Sequence, residues 1–550
     1  MTTIYNANIT AACTIFCEGP VLHAIQMSGI FPDSKTFVDM PMRFDPDVTL
    51  QAFNSLTDQS NKTVLEKYLE DYFLPVGSDL DDWVPTDFTN SPPFLETITD
   101  ADMKQWGSDL NQLWLVLGRQ VNASVHQNPQ RHSFLTRNYP MIVPGGRFRE
   151  SYYWDSWWII RGLLVCDMDN TAKDVINNLL DDLNNFGFIP NGGRIYYLDR
   201  SQPPLMSEML RTYFSYMSEN TGITQDLQSF IASAYESIVK EYNFWMNDVN
   251  NQMVEVPTGP NNTPTKFNRY YSNYTTPRPE SYLVDVENAA ASGRPVGEYY
   301  QQVRAGAESG WDFSSRWIRP SGDQQYNITN IHTNEILPVE LNSIMYRFEQ
   351  NLEYFATQLS TWATQQGNTA ASTAYTSQAT VYGNAATARA AAINSLLWDG
   401  QHKYWRDFNL TSQQWTHYTA QDAKYITLSG ANKEYLSPTS ETTTATTTAS
   451  AATTTTASPY ATIAYWIPMW AGISPTDGTS NDQLVTSLQA SGLLQVAGVL
   501  TTNVNTGQQW DSPEAWAPLV MFTIEGLQTL NTKNSLSLAV SFFISNFLGY

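Results

Sequence analysis

Apolar residues recur at helical spacing along most of the chain. Leu110, Leu113 with Trp114, Leu117 and Val121 form one such series, and Ile176, Leu179 with Leu180, Leu183 and Phe186 form a second. Leu227, Phe230 with Ile231, Ala234 and Ile238 form a third, and Phe348, Leu352, Phe355, Leu359 and Trp362 a fourth. Each series predicts a helix with one buried face, and no comparable run of alternating residues predicts strands. Helices joined by long loops rich in Gly, Pro and aromatic residues point to an all-α domain of the toroid or solenoid kind. Self-similar repeats of about 30–45 residues are missing, which disfavours a solenoid.

The loops between these series share a composition. PGGRFRESYYWDSWW at 144–158, PNGGRIYYLDRSQPP at 190–204, PRPESY at 277–282, ESGWDFSSRW at 308–317 and QQWDSPEAWAP at 508–518 all mix aromatics, Arg, Gly and carboxylates. Five such loops beside helical stretches read as one pocket assembled from helix ends. The segment Thr439–Ser458 differs, holding only Thr, Ser and Ala apart from Glu441. It has little side chain to bury and reads as a flexible insertion in one domain rather than a linker between two.

Charge narrows the partners. The 550 residues carry 30 Lys+Arg against 53 Asp+Glu, a net −23, which disfavours nucleic-acid and anionic-membrane binding. No apolar run approaches the ~18 residues needed to span a bilayer. Cys13 and Cys17 stand close enough to bridge across a short N-terminal loop, with bridged and reduced states both open, and Cys166 sits in an apolar run. The six histidines are scattered, with no metal-ligand spacing. Seven N-x-S/T sequons (Asn8, Asn61, Asn122, Asn261, Asn273, Asn327 and Asn409) decide nothing, since so Asn-, Ser- and Thr-rich a chain would hold about seven or eight by chance.

The loop residue types suit one ligand chemistry. Trp and Tyr faces stack on the C–H face of a sugar ring, while Arg, Asp, Glu, Asn and Gln take its hydroxyls in pairs. Carboxylates sit among them: Glu150, Asp155, Glu280, Glu308, Asp312, Asp511 and Glu514. Glycoside hydrolysis needs two, one protonated and one ionised. Asp312 lies between Trp311 and Phe313, apolar company that raises a carboxyl pKa, whereas Glu280 follows Arg278, which favours the ionised form. Residue type alone does not choose Asp312 over Glu280.

PGGRFRESYYWDSWW resembles the first signature of the trehalase family, and QQWDSPEAWAP resembles the second. IPNGGRIYYLDRSQPP, RPESY, RAGAESGWDFSSRW and the N-terminal GPVLHAIQMSGIFPDSKTFVDMP are similar to its other blocks, in the same order. The resemblance implies one (α/α)6 barrel over 1–550, incomplete at its C-terminal end, with an N-terminal extension over about 1–60 and the insertion at 439–458. It implies inverting hydrolysis of α,α-trehalose to two glucoses, with no cofactor and no metal.

Carried onto this sequence, the resemblance makes Asp312 the general acid. Arg147, Phe148, Tyr152, Trp154 and Asp155 would line the pocket, joined by Asn191, Arg200, Ser201 and Gln202. Arg278 and Glu280 would bind sugar hydroxyls, Gly310 would offer its carbonyl, and Trp510 would close the site. The second signature usually reads P-N-G-W-A-P, where Glu514 and Ala515 stand here, so altered affinity is expected. Family members carry a glycine-rich E-Y-x-x-Q-x-G-F-G-W-T-N-G block whose Glu is the general base, and the present sequence reaches Tyr550 before any such block. Two other readings follow: a sugar-binding short form with poor turnover, or a related α-glucosidase. Compartment and oligomeric state stay open, with a lean to an extracellular or luminal protein from the N-terminal block.

Overall fold

In a computed structural model, long helices carry the apolar series seen in the sequence. The structure describes residues 2–258, 263–320, 326–417, 460–495 and 498–548, so the Thr-rich segment at 439–458 lies outside the described residues. Packing divides the chain into two units, one of residues 1–252, 271–311 and 347–386, the other of 253–270, 312–346 and 387–550.

The first unit is built on helices packed against their neighbours in the chain. Asp169–Phe186 buries Ile176, Leu179 and Leu183 at the expected spacing and ends where Gly187 adopts φ 80°, a left-handed cap that glycine adopts at little cost. Gln225–Met246 buries Leu227, Ile231, Ala234 and Ile238, and Thr224 caps it by accepting the Leu227 N–H. Phe348, Leu352, Phe355, Leu359 and Trp362 are likewise buried on the helix Val339–Gln365. The helix Ala101–Leu117 departs from the expected face, because Leu110 and Leu113 are exposed while Gly107 and Asn111 are buried.

The N-terminal helices Thr2–Phe16, Pro20–Ser28, Pro46–Asn54 and Lys62–Tyr72 enclose their own core. Ile15, Phe16, Ile25, Phe37, Phe53 and Phe73 meet there with Tyr152, Tyr196 and Tyr197 from the loop blocks. Cys13 and Cys17 form a disulfide, one helical turn apart rather than across a loop. A small antiparallel sheet pairs Leu80–Asp82 with Gly118–Val121, and that strand with Met141–Ile142.

The second unit holds the helices Ile467–Ala471, Asn481–Ala490, Ala517–Leu530 and Lys533–Leu548. Ser480 and Gln483 form a capping box at the start of Asn481–Ala490. Trp470 stands edge-on to Phe522 at 4.7 Å. Gly526 lets its helix approach closely, since a Cβ there would lie 3.1 Å from the Trp470 backbone nitrogen. The strand pair Met253–Pro257 and Pro264–Asn268 and the short strands Ile336–Leu337, Phe408–Asn409 and Gln414–Trp415 are antiparallel. Among the described residues, no helix is long and apolar enough to cross a membrane.

Candidate active site

The first signature opens with a tight turn in which Gly145 and Phe148 exchange backbone hydrogen bonds of 3.2 and 3.0 Å. Gly145 and Gly146 take φ 103° and 61°, so the turn depends on glycine. It presents Arg147 and Phe148 at the surface, with the guanidinium 5.4 Å from the ring centre and bonded to Asp33 at 2.8 Å. Tyr152 stands edge-on to Phe148 at 5.3 Å, donates to Glu150 and meets the Tyr197 hydroxyl at 2.8 Å. Burial alone would raise the Glu150 pKa, yet Lys35 and Arg194 hold it down to about 2, so it stays an acceptor for Tyr152.

Trp154 precedes the helix Asp155–Val165, and its N–H donates to Gln202 Oε1 at 3.0 Å. Asp155, half-buried, begins that helix. Gly310, just past the helix Val296–Glu308, has φ 74°, and a Cβ there would stand 2.8 Å from Trp154 Cε2. Only glycine lets the chain pass so close to that indole.

The second block is laced to the first. The Asn191 carbonyl accepts from Tyr153 N–H at 3.1 Å, and its own N–H donates to the Arg200 carbonyl at 2.9 Å. Arg200, buried, donates to Glu280 Oε1 at 2.7 Å and lies 5.1 Å from the Tyr197 ring centre. Burial works against the ionised form of Glu280, but Arg200 and Arg278 outweigh it and hold its pKa below the usual range. Arg278 is gripped from one side, giving Nε and Nη2 to Asp285 at 2.9 and 2.6 Å. Ser201 donates its N–H to Glu308 at 3.2 Å. A cavity of about 220 Å³ opens beside Arg200, with Gln252 and Tyr271 also on its wall and the parallel rings of Phe188 and Phe244, 4.9 Å apart, at one side.

In the second unit, Asp312 is half-buried, and the next residue, Phe313, accepts the Trp510 N–H on its carbonyl at 2.9 Å. Trp510 stacks on Trp516 at 4.6 Å with the planes 11° apart. Asp511 gathers Ser314 Oγ at 2.9 Å, Ser315 N and Oγ at 2.8 Å each and Thr502 Oγ1 at 2.9 Å, and also accepts from Thr506. This one carboxylate ties the residues after Asp312 to the second signature. Arg316 donates to both oxygens of Asp407 at 2.6 and 2.8 Å and also pairs with Glu340. Glu514 is exposed, and its N–H closes a turn on the Asp511 carbonyl at 2.9 Å.

Of the residues singled out from sequence, Asp312 and Trp510 thus belong to the second unit and the others to the first. Sequence reasoning missed Asp285, Arg194 and Gln252. Asp285 stands seven residues beyond Arg278, a spacing without a motif, and Gln252 carries no signal at all. Among the described residues, no three His, Cys, Asp or Glu side chains cluster so as to hold a metal ion.

Solved structures share the fold: neutral trehalase Nth1 from Saccharomyces cerevisiae superposes with a TM-score of 0.51 at 20 % identity, covering 74 % of this chain and 66 % of that one. The fold class is all-α, (α/α)6, as the helical periodicity and the signature blocks implied. A family model described as Trehalase matches residues 29–550. Trehalase from Oryctolagus cuniculus is 37 % identical over 93 % of this chain and 78 % of its own length, and trehalase from Homo sapiens is 35 % identical over 93 % and 77 %. The chain belongs to the trehalase family of glycoside hydrolases.

Proposed function

We propose that the protein hydrolyses α,α-trehalose to two glucoses by an inverting acid–base reaction in which Asp312 protonates the oxygen of the breaking bond. The observation that carries this reading is the pairing of buried Arg200 with Glu280, beside an Arg278 already locked by Asp285, in a chain of the trehalase family. Charged donors and acceptors fixed in advance take sugar hydroxyls without reorganising, and aromatic faces supply the apolar half of the contact. A neutral, hydroxyl-rich substrate is also one that a chain of net charge −23 does not repel.

Arg278 and Glu280 bind hydroxyls in this account, while Arg147, Phe148, Tyr152, Trp154, Asp155, Asn191, Arg200, Ser201 and Gln202 line the sugar site. Gly310 contributes its carbonyl, and Trp510 closes over the substrate. Inversion further requires a carboxylate that takes a proton from the attacking water on the opposite face of the ring.

Asp312→Asn tests the acid. Turnover of trehalose is expected to fall by about 10²–10⁴ or more, because proton transfer to the leaving group is lost. Trehalose binding by calorimetry should change by less than about threefold, since amide and acid have nearly the same shape. Unchanged turnover in a folded variant would remove Asp312 from the mechanism.

A further inference from the structure

Glu308 ends the helix Val296–Glu308 and is completely buried. Its Oε1 accepts the Ser201 N–H at 3.2 Å, and its Oε2 accepts the Tyr271 N–H at 3.0 Å. The Gln252 side-chain amide reaches Oε1 at 3.5 Å. One carboxylate therefore joins three stretches far apart in sequence: the Arg200–Gln202 segment, Gln252, and the stretch from Tyr271 that leads to Arg278. Arg200, Gln252 and Tyr271 all line the 220 Å³ cavity.

Two N–H groups arriving from separate segments need two oxygens that both accept. The ionised carboxylate does this best: a glutamine turns one position into an NH2 donor facing an N–H, and a protonated carboxyl offers only its hydroxyl oxygen, a weaker acceptor, at one of the two. Burying a carboxylate is costly, and a side chain whose task was only to fill space would not need the charge. Burial pushes the Glu308 pKa up to about 7, against the Tyr271 and Ser201 N–H groups, the Gln252 amide and the Arg200 guanidinium. Arg200, from the 200–202 segment, is the charged group acting on it, while Gln252 and the Tyr271 backbone face it as neutral dipoles.

The geometry assigns Glu308 as a positioning residue for sugar binding, whose ionised carboxylate holds the Arg200–Gln202 and Tyr271 segments where Arg200 meets Glu280 and Gln202 meets Trp154. It rests on the trehalose-hydrolysis reading for its substrate, not for its geometry. Glu308 acts through the backbone it holds and does not touch the sugar. When it is protonated, one of its two N–H groups is left with the weaker hydroxyl acceptor, and the segment that N–H belongs to loosens.

The test is Glu308→Gln in the full chain, with trehalose as substrate. KM is expected to rise about tenfold while kcat falls less than threefold. Wild-type kcat/KM should climb with pH through about 7, and the variant should lack that limb. Glu308→Asp, which keeps two acceptors on a shorter arm, should recover part of the lost affinity. Amide hydrogen exchange gives a readout free of substrate: Ser201 and Tyr271 should exchange about tenfold faster in Glu308→Gln than in wild type.

A folded Glu308→Gln with wild-type KM, pH profile and exchange at both amides overturns the assignment. Should the variant not fold, exchange in the wild type decides, corrected for intrinsic rates. Protection of Ser201 and Tyr271 that drops between pH 8 and 6 supports the role, and flat protection overturns it. A wild-type protein that releases no glucose from trehalose would defeat the substrate reading, while the exchange result still judges Glu308.

Discussion

Replacing Gly310 by alanine crowds the site by an amount that the local geometry sets. Gly310 has φ 74°, which costs a non-glycine residue about 1–2 kcal/mol. The added methyl would stand 2.8 Å from both Cε2 and Cζ2 of Trp154 and 3.3 Å from its Cδ2. Overpacking of that order against the buried indole costs a further ~1–3 kcal/mol. The sum is about 2–5 kcal/mol, and its relief must displace either Trp154 or the backbone running on to Asp312. Gly293→Ala supplies the control, since Gly293 has φ 66° with nothing within 4 Å of the would-be Cβ. Denaturant unfolding should show a loss of about 1–2 kcal/mol for Gly293→Ala, with trehalose kinetics unchanged. Gly310→Ala should lose more than that and should lower kcat/KM by at least about tenfold. Equal stability losses in the two variants, or wild-type kinetics in Gly310→Ala, would refute the claim that the close approach to Trp154 shapes the site.

Two further outcomes are expected. Asp285→Asn leaves one donor facing the buried Arg278 fork that Asp285 now receives at 2.9 and 2.6 Å. Unfolding should show a loss of about 3–5 kcal/mol, and KM for trehalose should rise more than kcat falls. Glu241 is fully buried against the Tyr153 hydroxyl, its Oε2 has no hydrogen-bond partner, and burial raises its pKa from 4.5 to about 8. The folded protein therefore holds a proton that the unfolded chain has released between those values, so Glu241's contribution to stability is present at low pH and lost as pH rises from about 4.5 to 8. Glu241→Gln, which is neutral throughout, should flatten the fall of melting temperature between pH 5 and 8, and an unchanged slope would contradict the assignment.

Helical elements were legible wherever a buried stripe faces other apolar side chains, as on Asp169–Phe186 and Gln225–Met246. Ala101–Leu117 shows where periodicity misleads. Its buried positions are Gly107, close against Leu95 and Phe94, and Asn111, whose amide donates to the Thr89 carbonyl at 2.8 Å. A helix face that meets bulky side chains at one position and a backbone carbonyl at the next selects a small residue and an amide there, and apolar spacing points to the wrong face. The tryptophans divide in a similar way. Trp154 and Trp510 belong to the signature loops, but Trp245, Trp311, Trp317, Trp405 and Trp466 are wholly buried and serve as core.

The loops that hold the candidate sugar-binding residues were legible because aromatics, Arg and carboxylates cluster within them, while the individual residues came from the resemblance to the trehalase family. Their supports were not legible. Asp285 clamps Arg278, Asp511 gathers Ser314 and Ser315, and Glu308 joins Ser201 to Tyr271 across 107 and 37 positions of chain. Nothing in local spacing encodes such partners, since the pairing exists only once the helices have brought the segments together. Of these supports, Glu308 and Asp511 were visible as loop carboxylates but without their partners.

The most direct test of the central claim is the anomeric form of the first glucose released from α,α-trehalose, followed by proton NMR before mutarotation. An inverting reaction with Asp312 as the acid yields equal amounts of α- and β-glucose at the earliest times, because the attacked ring inverts while the leaving ring keeps its configuration. Appearance of α-glucose alone would mean retention and would contradict the account.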